Sequence, residues 1–201
     1  PEAKLNKHVR ILQCGDLRKL PKFTGDDIRG YQTCKVLADG CLVVADPLLT
    51  SLRSLADLRP ASAESKTLGT VCSSVSATAT QLQDLLTAWY VNISVRSNGV
   101  VIVKNGGTLC VGTGEQDRVG AVEQAIDKFS QKYAGKESID NAVMASDGFF
   151  PFPDGVEVAA KAGITAIIAP AGSLKDAEVI TRANELGVAL FHAPERVFSH
   201  H

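Results

Sequence analysis

Three short stretches of this chain concentrate the residue types that bind and orient small molecules. In Ser146-Asp-Gly-Phe-Phe-Pro-Phe-Pro-Asp-Gly155, three phenylalanines surround Pro151 between Asp147 and Asp154. That content suits a planar heteroaromatic ligand held edge-on by polar groups, and equally a hydrophobic plug where a loop crosses the core. Pro170-Ala-Gly-Ser173 is built of small residues and permits close backbone approach. Ala193-Pro-Glu-Arg-Val-Phe198 ends in a cation and an aromatic ring. Arg196 could grip a phosphate through two parallel N–H bonds, or stand solvated on the surface. Asn98, between Ser97 and Gly99, is either a substrate ligand or a turn residue. Gly112-Thr-Gly-Glu-Gln-Asp-Arg118 also opens a helix, but Asp117 stands where a dinucleotide fingerprint needs its third glycine.

Other chemistries lack their signatures. Without H-x-E or P-C-x-x-C there is no zinc deaminase motif, and no G-x-S-x-G elbow is present. His192, His200 and His201 have no metal-ligand spacing with a carboxylate, so no metal site is expected. The five cysteines, Cys14, Cys34, Cys41, Cys72 and Cys110, are odd in number and form no C-x-x-C, which predicts reduced thiols in a cytosolic setting. A net charge of -1 gives no general footprint for nucleic acid or an acidic membrane. No apolar run approaches the roughly 20 residues of a membrane span, and the N-terminus has no signal-peptide core. The reading is a soluble, cytoplasmic protein; a start at Pro1 rather than Met suggests a trimmed chain or a fragment.

The elements that must position these loops are clearest after residue 80. Leu82, Leu85, Leu86, Trp89, Tyr90 and Ile93 make a helical stripe over 81–94. A strand over 99–103, a turn at Lys104-Asn-Gly-Gly107 and a returning strand over 108–111 follow, with Asn-Gly supplying the positive φ of a tight hairpin. A helix fits 115–133, with Val119, Val122, Ile126 and Phe129 on one face. Strands over 142–145, 165–169 and 188–191 then alternate with helices ending near Ala162-Gly163 and running over 175–186. This predicts an α/β fold, a layered mixed sheet with helices on both faces, parallel at least in its C-terminal half. Residues 1–80 read as an N-terminal segment and linker. Val9–Leu12 and Cys41–Ala45 are candidate strands there, and Arg59–Lys66 has linker composition. Residues 81–201 read as the folded domain.

Taken in order, the loop motifs resemble the bifunctional AICAR formyltransferase/IMP cyclohydrolase family of purine biosynthesis. Ser146–Asp154 is similar to S-D-A-F-F-P-F-R-D, and Ala162–Ser173 to A-G-[IV]-T-A-I-I-Q-P-G-G-S. Arg196-Val-Phe198 with His200 is similar to R-x-F-x-H, Arg96–Asn98 to K-S-N, and Gly112–Arg118 to G-x-G-Q-x-S-R. The resemblance covers about residues 82–201, with a looser match over 5–50 to the segment between the family's two formyltransferase subdomains. It implies a cytidine-deaminase-like subdomain of a dimeric enzyme that transfers a formyl group from formyltetrahydrofolate to AICAR. It implies that Asn98 and the backbone at Phe149 contact the AICAR base, while Arg196 holds its phosphate with Phe198 alongside. Phe152, Asp154, Gly172 and Ser173 would lie near the folate, with Arg118 and Val119 close by. Ser97 and Asp147 match a region that can hold a structural potassium ion.

The departures from the family pattern are specific. The catalytic Lys-His pair of a K-H-x-[SN]-P motif is missing, since Lys7-His8 continues as Val-Arg-Ile, and no cyclohydrolase domain is present. Pro153 replaces Arg, Glu115 replaces Gln and Asp117 replaces Ser, while Tyr90 and Ile93 stand where bacterial members often carry Lys. Each change removes positive charge, adds negative charge or removes a donor, which counts against an anionic ligand. The expectation is therefore part, or a divergent relative, of an AICAR formyltransferase that does not turn over alone. A homodimer or a partner subunit supplying the first subdomain is implied. The alternatives are a non-catalytic nucleotide- or folate-binding module and a structural dimerisation domain.

Overall fold

The computed structural model describes residues 13, 15–67 and 69–199. They divide into two compact units. The first comprises the described residues up to Lys22 together with Asp26–Pro47. Within it a 3-10 turn over Leu17–Lys19 is capped by Asp16, which accepts from the Arg18 amide. Strands β1 (Thr33–Val36) and β2 (Leu42–Ala45) form an antiparallel hairpin in which every strand residue is exposed. The strand expected over Cys41–Ala45 is β2; the one over Val9–Leu12 lies outside the described residues.

The second unit, Phe23–Gly25 with Leu48 onward, carries the candidate loops. Its six-stranded sheet has the order β3 (Arg59–Pro60), β10 (Ala189–Ala193), β9 (Ala166–Pro170), β8 (Val143–Ser146), β6 (Val100–Lys104), β7 (Gly107–Gly112). Strands β8, β9 and β10 are parallel, while β6 runs antiparallel to both β7 and β8. Alternate side chains point to opposite faces of a strand, and two cores follow from that. Val100, Ile102, Met144, Ile167 and Leu190 face three helices: α2 (Arg118–Tyr133), α3 (Asp154–Ala162) and α4 (Asp176–Glu185). Val101, Val103, Val143, Ala145, Ile168 and Phe191 face α1 (Ala79–Asn92) on the other side. Each of these Val, Leu, Ile, Met and Phe side chains taken fully out of water contributes roughly 1.5–3 kcal/mol.

The helices begin where local chemistry dictates. Thr78 and Gln81 form a capping box at α1, two residues before the stripe read from the sequence. Asp117 caps α2 by accepting from the Gly120 amide at 2.7 Å, so its carboxylate serves the helix. The buried stripe of α2 is Arg118, Ala121, Val122, Ala125 and Phe129, one position round from the expected face, with Val119 and Ile126 only half-buried. The cause is close packing: a Cβ on Gly112 of β7 would lie 2.0 Å from the Ala121 carbonyl oxygen. Gly112 therefore serves helix–strand contact. At the β6–β7 turn Asn105 and Gly106 both have positive φ, and the buried Asp84 of α1 accepts their two amides.

The linker reading of Arg59–Lys66 is corrected. These residues form β3 on the sheet edge and β4 (Ser62–Ser65), which pairs with β5 (Gly69–Cys72). Ala61 between them is wholly buried, and its amide donates to the Leu190 carbonyl at 2.8 Å. Small polar residues read as linker until a strand partner satisfies their backbone. Residues 48–80, which the sequence reading groups with the N-terminal segment, fall in the second unit together with Phe23–Gly25.

Candidate functional site

Because β8, β9 and β10 are parallel, the loops that follow them leave one edge of the sheet, the side where ligands of open α/β sheets bind. Helices α3 and α4 start from two of these loops, with Asp154 and Asp176 in their first turns. The last loop folds back across the rim. Val197 donates from its amide to the Asp147 carbonyl, and Ser97 and Ser199 exchange backbone and hydroxyl bonds of 2.7 Å.

Two arginine clusters lie on this rim. In the first, the carboxylate of Asp147 is completely buried. Its Oδ2 accepts from the Ser97 hydroxyl and, at 3.0 Å, from the Gly99 amide. Its Oδ1 is ion-paired to Nη1 of the buried Arg118, which also donates to the Gly99 carbonyl at 3.2 Å. Nη2 of Arg118 donates to Asn98 Oδ1 at 2.8 Å, and Asn98 Nδ2 donates to the Glu115 carbonyl at 2.9 Å. The exposed ring of Phe198 faces the guanidinium, 5.6 Å from Cζ to centroid. Asn98 is thus neither a simple turn residue nor an open ligand: one donor hydrogen and one lone pair of its amide are already engaged.

The second cluster is more open. Arg196 is exposed and its guanidinium lies over the half-buried Phe149 ring, 4.5 Å from Cζ to centroid. A Cβ on Gly172 would fall 2.9 Å from Arg196 Nη2, so the small-residue turn and the terminal arginine meet. Among the described residues Arg196 makes no ion pair. The neighbouring Glu195 is held elsewhere, by the hydroxyls of Thr50 and Ser51 and the Ser51 amide. Thr50 Oγ1 accepts in turn from the indole of the wholly buried Trp89 at 2.9 Å and from the Leu52 amide at 3.1 Å. That hydroxyl has spent its one donor and both lone pairs. Neither Thr50 nor Glu195 carries a sequence signal, because 145 residues separate them.

The three phenylalanines of the Phe-Pro loop take three roles. Phe150 is buried core, Phe149 lies beneath Arg196, and Phe152 is exposed. Asp154 is exposed at the start of α3, and its carboxylate accepts from the Gly155 amide. The Gly172 and Ser173 amides donate to the Asp176 carboxylate at 2.8 and 3.2 Å, which fixes the turn. Val119 is half-buried in the first turn of α2. Among the described residues of the second unit the exposed large apolar ones are Leu48 and then one in each rim loop: Phe152, Leu174 and Phe198.

A potassium ion at Ser97 and Asp147, which the family resemblance implies, does not fit these residues. Ion ligation needs converging oxygen lone pairs, and here they receive N–H and O–H donors instead, with a guanidinium already beside the carboxylate. Among the described residues no three His, Cys, Asp or Glu side chains are grouped to hold a metal. No helix among them is long and apolar enough to cross a membrane. Lys7-His8 and His200 lie outside the described residues.

The family model described as AICARFT/IMPCHase bienzyme matches residues 3–128. The bifunctional purine biosynthesis protein PurH of Corynebacterium glutamicum (strain R) is 46% identical over 119 residues, 59% of this chain and 22% of that protein. The same-named protein of Microcystis aeruginosa is 40% identical over 199 residues, 98% of this chain and 33% of that one. That of Nostoc punctiforme is 37% identical over 194 residues, 96% of this chain and 32% of its own. A solved dCMP deaminase from the cyanophage S-TIM5, in complex with dCMP and dUMP, aligns over 53% of this chain and 90% of its own, at 22% identity and a TM-score of 0.37. The chain spans about a third or less of the length of the curated relatives it matches. With the model match running over more than half its length, the chain belongs to the AICARFT/IMPCHase bienzyme family.

Proposed function

We propose that this chain is the nucleotide-binding half of an AICAR formyltransferase, acting in purine biosynthesis with AICAR as acceptor and formyltetrahydrofolate as donor. The observation that carries this reading is Arg196: an exposed guanidinium, stacked on Phe149, set against Gly172 and left without a carboxylate because Glu195 is occupied. Such a cation, pre-oriented at the rim of parallel strands, suits a phosphate monoester. The free hydrogen and lone pair of Asn98 and the backbone at Phe149 take the base, with Phe198 beside the nucleotide. The exposed rings and side chains of Phe152 and Leu174, with Val119, Asp154, Gly172 and Ser173, form the side for the planar folate. Arg118 directs Nη1 and Nη2 to Asp147, Gly99 and Asn98, its buried Nε has no partner among the described residues, and on this reading it stays close to the folate side.

In formyl transfer the acceptor amine attacks the formyl carbon, the bond to the folate nitrogen breaks, and a base moves the amine proton to that leaving nitrogen. An oxyanion also forms at the formyl oxygen and needs a donor. The family's Lys-His motif is absent from these 201 residues, so on this reading that half comes from sequence outside them or from a partner subunit that carries the motif. A non-catalytic binding module is the second reading, and the missing Lys-His motif favours it.

Calorimetry tests the proposal. AICAR should bind the chain, and Arg196→Ala should raise its Kd about 10- to 100-fold, the loss expected for a charge-assisted phosphate bond. The corresponding nucleoside, lacking phosphate, should change by about twofold or less. An equal loss for both ligands, or no heat with AICAR, rejects the phosphate role. Formyl transfer by the purified chain alone would remove the need for a second half.

A further inference from the structure

We infer that Arg118 is the built-in counter-ion of Asp147, taking the place of a monovalent metal cation, and that Gly148 is the residue that admits it. A carboxylate as buried as Asp147 must be neutralised by a proton, a metal ion or a cationic side chain. The geometry answers with the third. Asp147 Oδ1 is ion-paired to Arg118, and its Oδ2 accepts two hydrogens, from Ser97 Oγ and Gly99 N. Ser97 Oγ accepts a further one from the Ser199 amide at 2.7 Å. The Gly99 carbonyl is also shared, between Arg118 Nη1 at 3.2 Å and the Asp147 amide at 3.1 Å. A metal would need those same lone pairs, and it would sit against a guanidinium.

Room for the guanidinium depends on one missing carbon. A Cβ at Gly148 would lie 2.5 Å from Arg118 Nη2 and 3.1 Å from the Phe198 ring. Any side chain there pushes the far end of Arg118 off Asn98, while the backbone can stay where it is. Arg118 is a positioning residue in this account: it holds Asn98, Asp147 and Phe198 in register without an ion. The inference rests on buried geometry and stands whether or not the proposed ligands bind.

The experiment is thermal unfolding of the full chain at matched ionic strength in potassium, sodium or choline chloride. The wild type should melt at the same temperature in all three, within about 1 °C. Arg118→Met should lower that temperature by about 10 °C in choline chloride, the scale expected when one member of a buried ion pair is removed. Potassium should restore part of that loss. Gly148→Ala should move in the same direction by less, and it keeps the question open to test should Arg118→Met not fold. A wild-type melting temperature several degrees higher in potassium than in choline overturns the inference. So does an Arg118→Met protein with no loss, or one whose loss potassium leaves untouched.

Discussion

The two arginines of the rim are the same residue type, one opening α2 and the other in the last loop, yet the fold uses them in opposite ways. Arg118 is buried, paired with a buried carboxylate and bonded to Gly99 and Asn98. Arg196 is exposed, rests on a ring, and has its nearest acid in sequence drawn off by Thr50 and Ser51. A cation becomes structural when every acceptor around it belongs to the protein, and available when the protein has occupied the competing acceptors elsewhere. Sign and sequence position do not separate these two cases; the acceptor count does.

The largest break in this comparison comes from Asp147→Ala, which leaves the Arg118 guanidinium buried without its counter-charge. A loss of about 3–5 kcal/mol in urea unfolding is expected, because stranding one member of a buried pair costs far more than the pair contributes. Combining it with Arg118→Met should cost less than the two single losses added together. If Asp147→Ala costs no more than Arg196→Ala, the contrast between the two arginines is wrong.

Thr50→Val probes the second arginine at a distance. It strands the Trp89 indole N–H and removes one donor from Glu195, a loss of about 1–3 kcal/mol for an unsatisfied buried group. Freed in part, Glu195 can turn to its neighbour and compete with a phosphate, so AICAR binding should weaken as well. Thr50→Ser, which keeps the hydroxyl, should recover both. Emission from the single tryptophan reports on the same contact. Loss of stability with unchanged AICAR affinity would detach Glu195 from Arg196. Smaller still is the effect of Arg196→Ala on unfolding itself, within about 0.5 kcal/mol, as for other surface side chains.

These contrasts also mark what could be read from the letters. The strands and helices after residue 80 were legible because each has one strong local signal: a period, a cap, or Asn-Gly at the β6–β7 turn. The convergence of the three rim loops was legible because parallel strands place their carboxyl ends together. What was hidden depended on partners far along the chain. Arg59–Lys66 looks like linker until β10 and β5 pair with it. Asp117 looks like a lost ligand until it is seen capping α2. Arg118 matches a ligand-side position by motif, and only the burial of Asp147 reveals that its charge is spent within the fold. The sequence states residue types at a rim, while the number of free acceptors there is a tertiary property.

His192 extends the comparison to a group whose charge the fold disfavours. It sits on β10 three residues before Glu195, half-buried, with the Ser62 amide 3.4 Å from Nδ1. Burial holds its pKa below the ordinary 6.5, outweighing the opposite pull of Asp176. The sign follows from proton counting. Between the lowered folded value and about 6.5, the unfolded chain binds a proton that the folded chain does not, so stability rises with pH across that window. The contribution is complete above about 6.5 and is lost as pH falls through the folded value. His192→Gln, which keeps a polar group without the titration, should flatten the slope of unfolding free energy as pH falls below about 6.5. Equal slopes in the two proteins would mean that this imidazole takes up its proton as readily in the folded strand as in water, and that burial on β10 is too shallow to exclude charge.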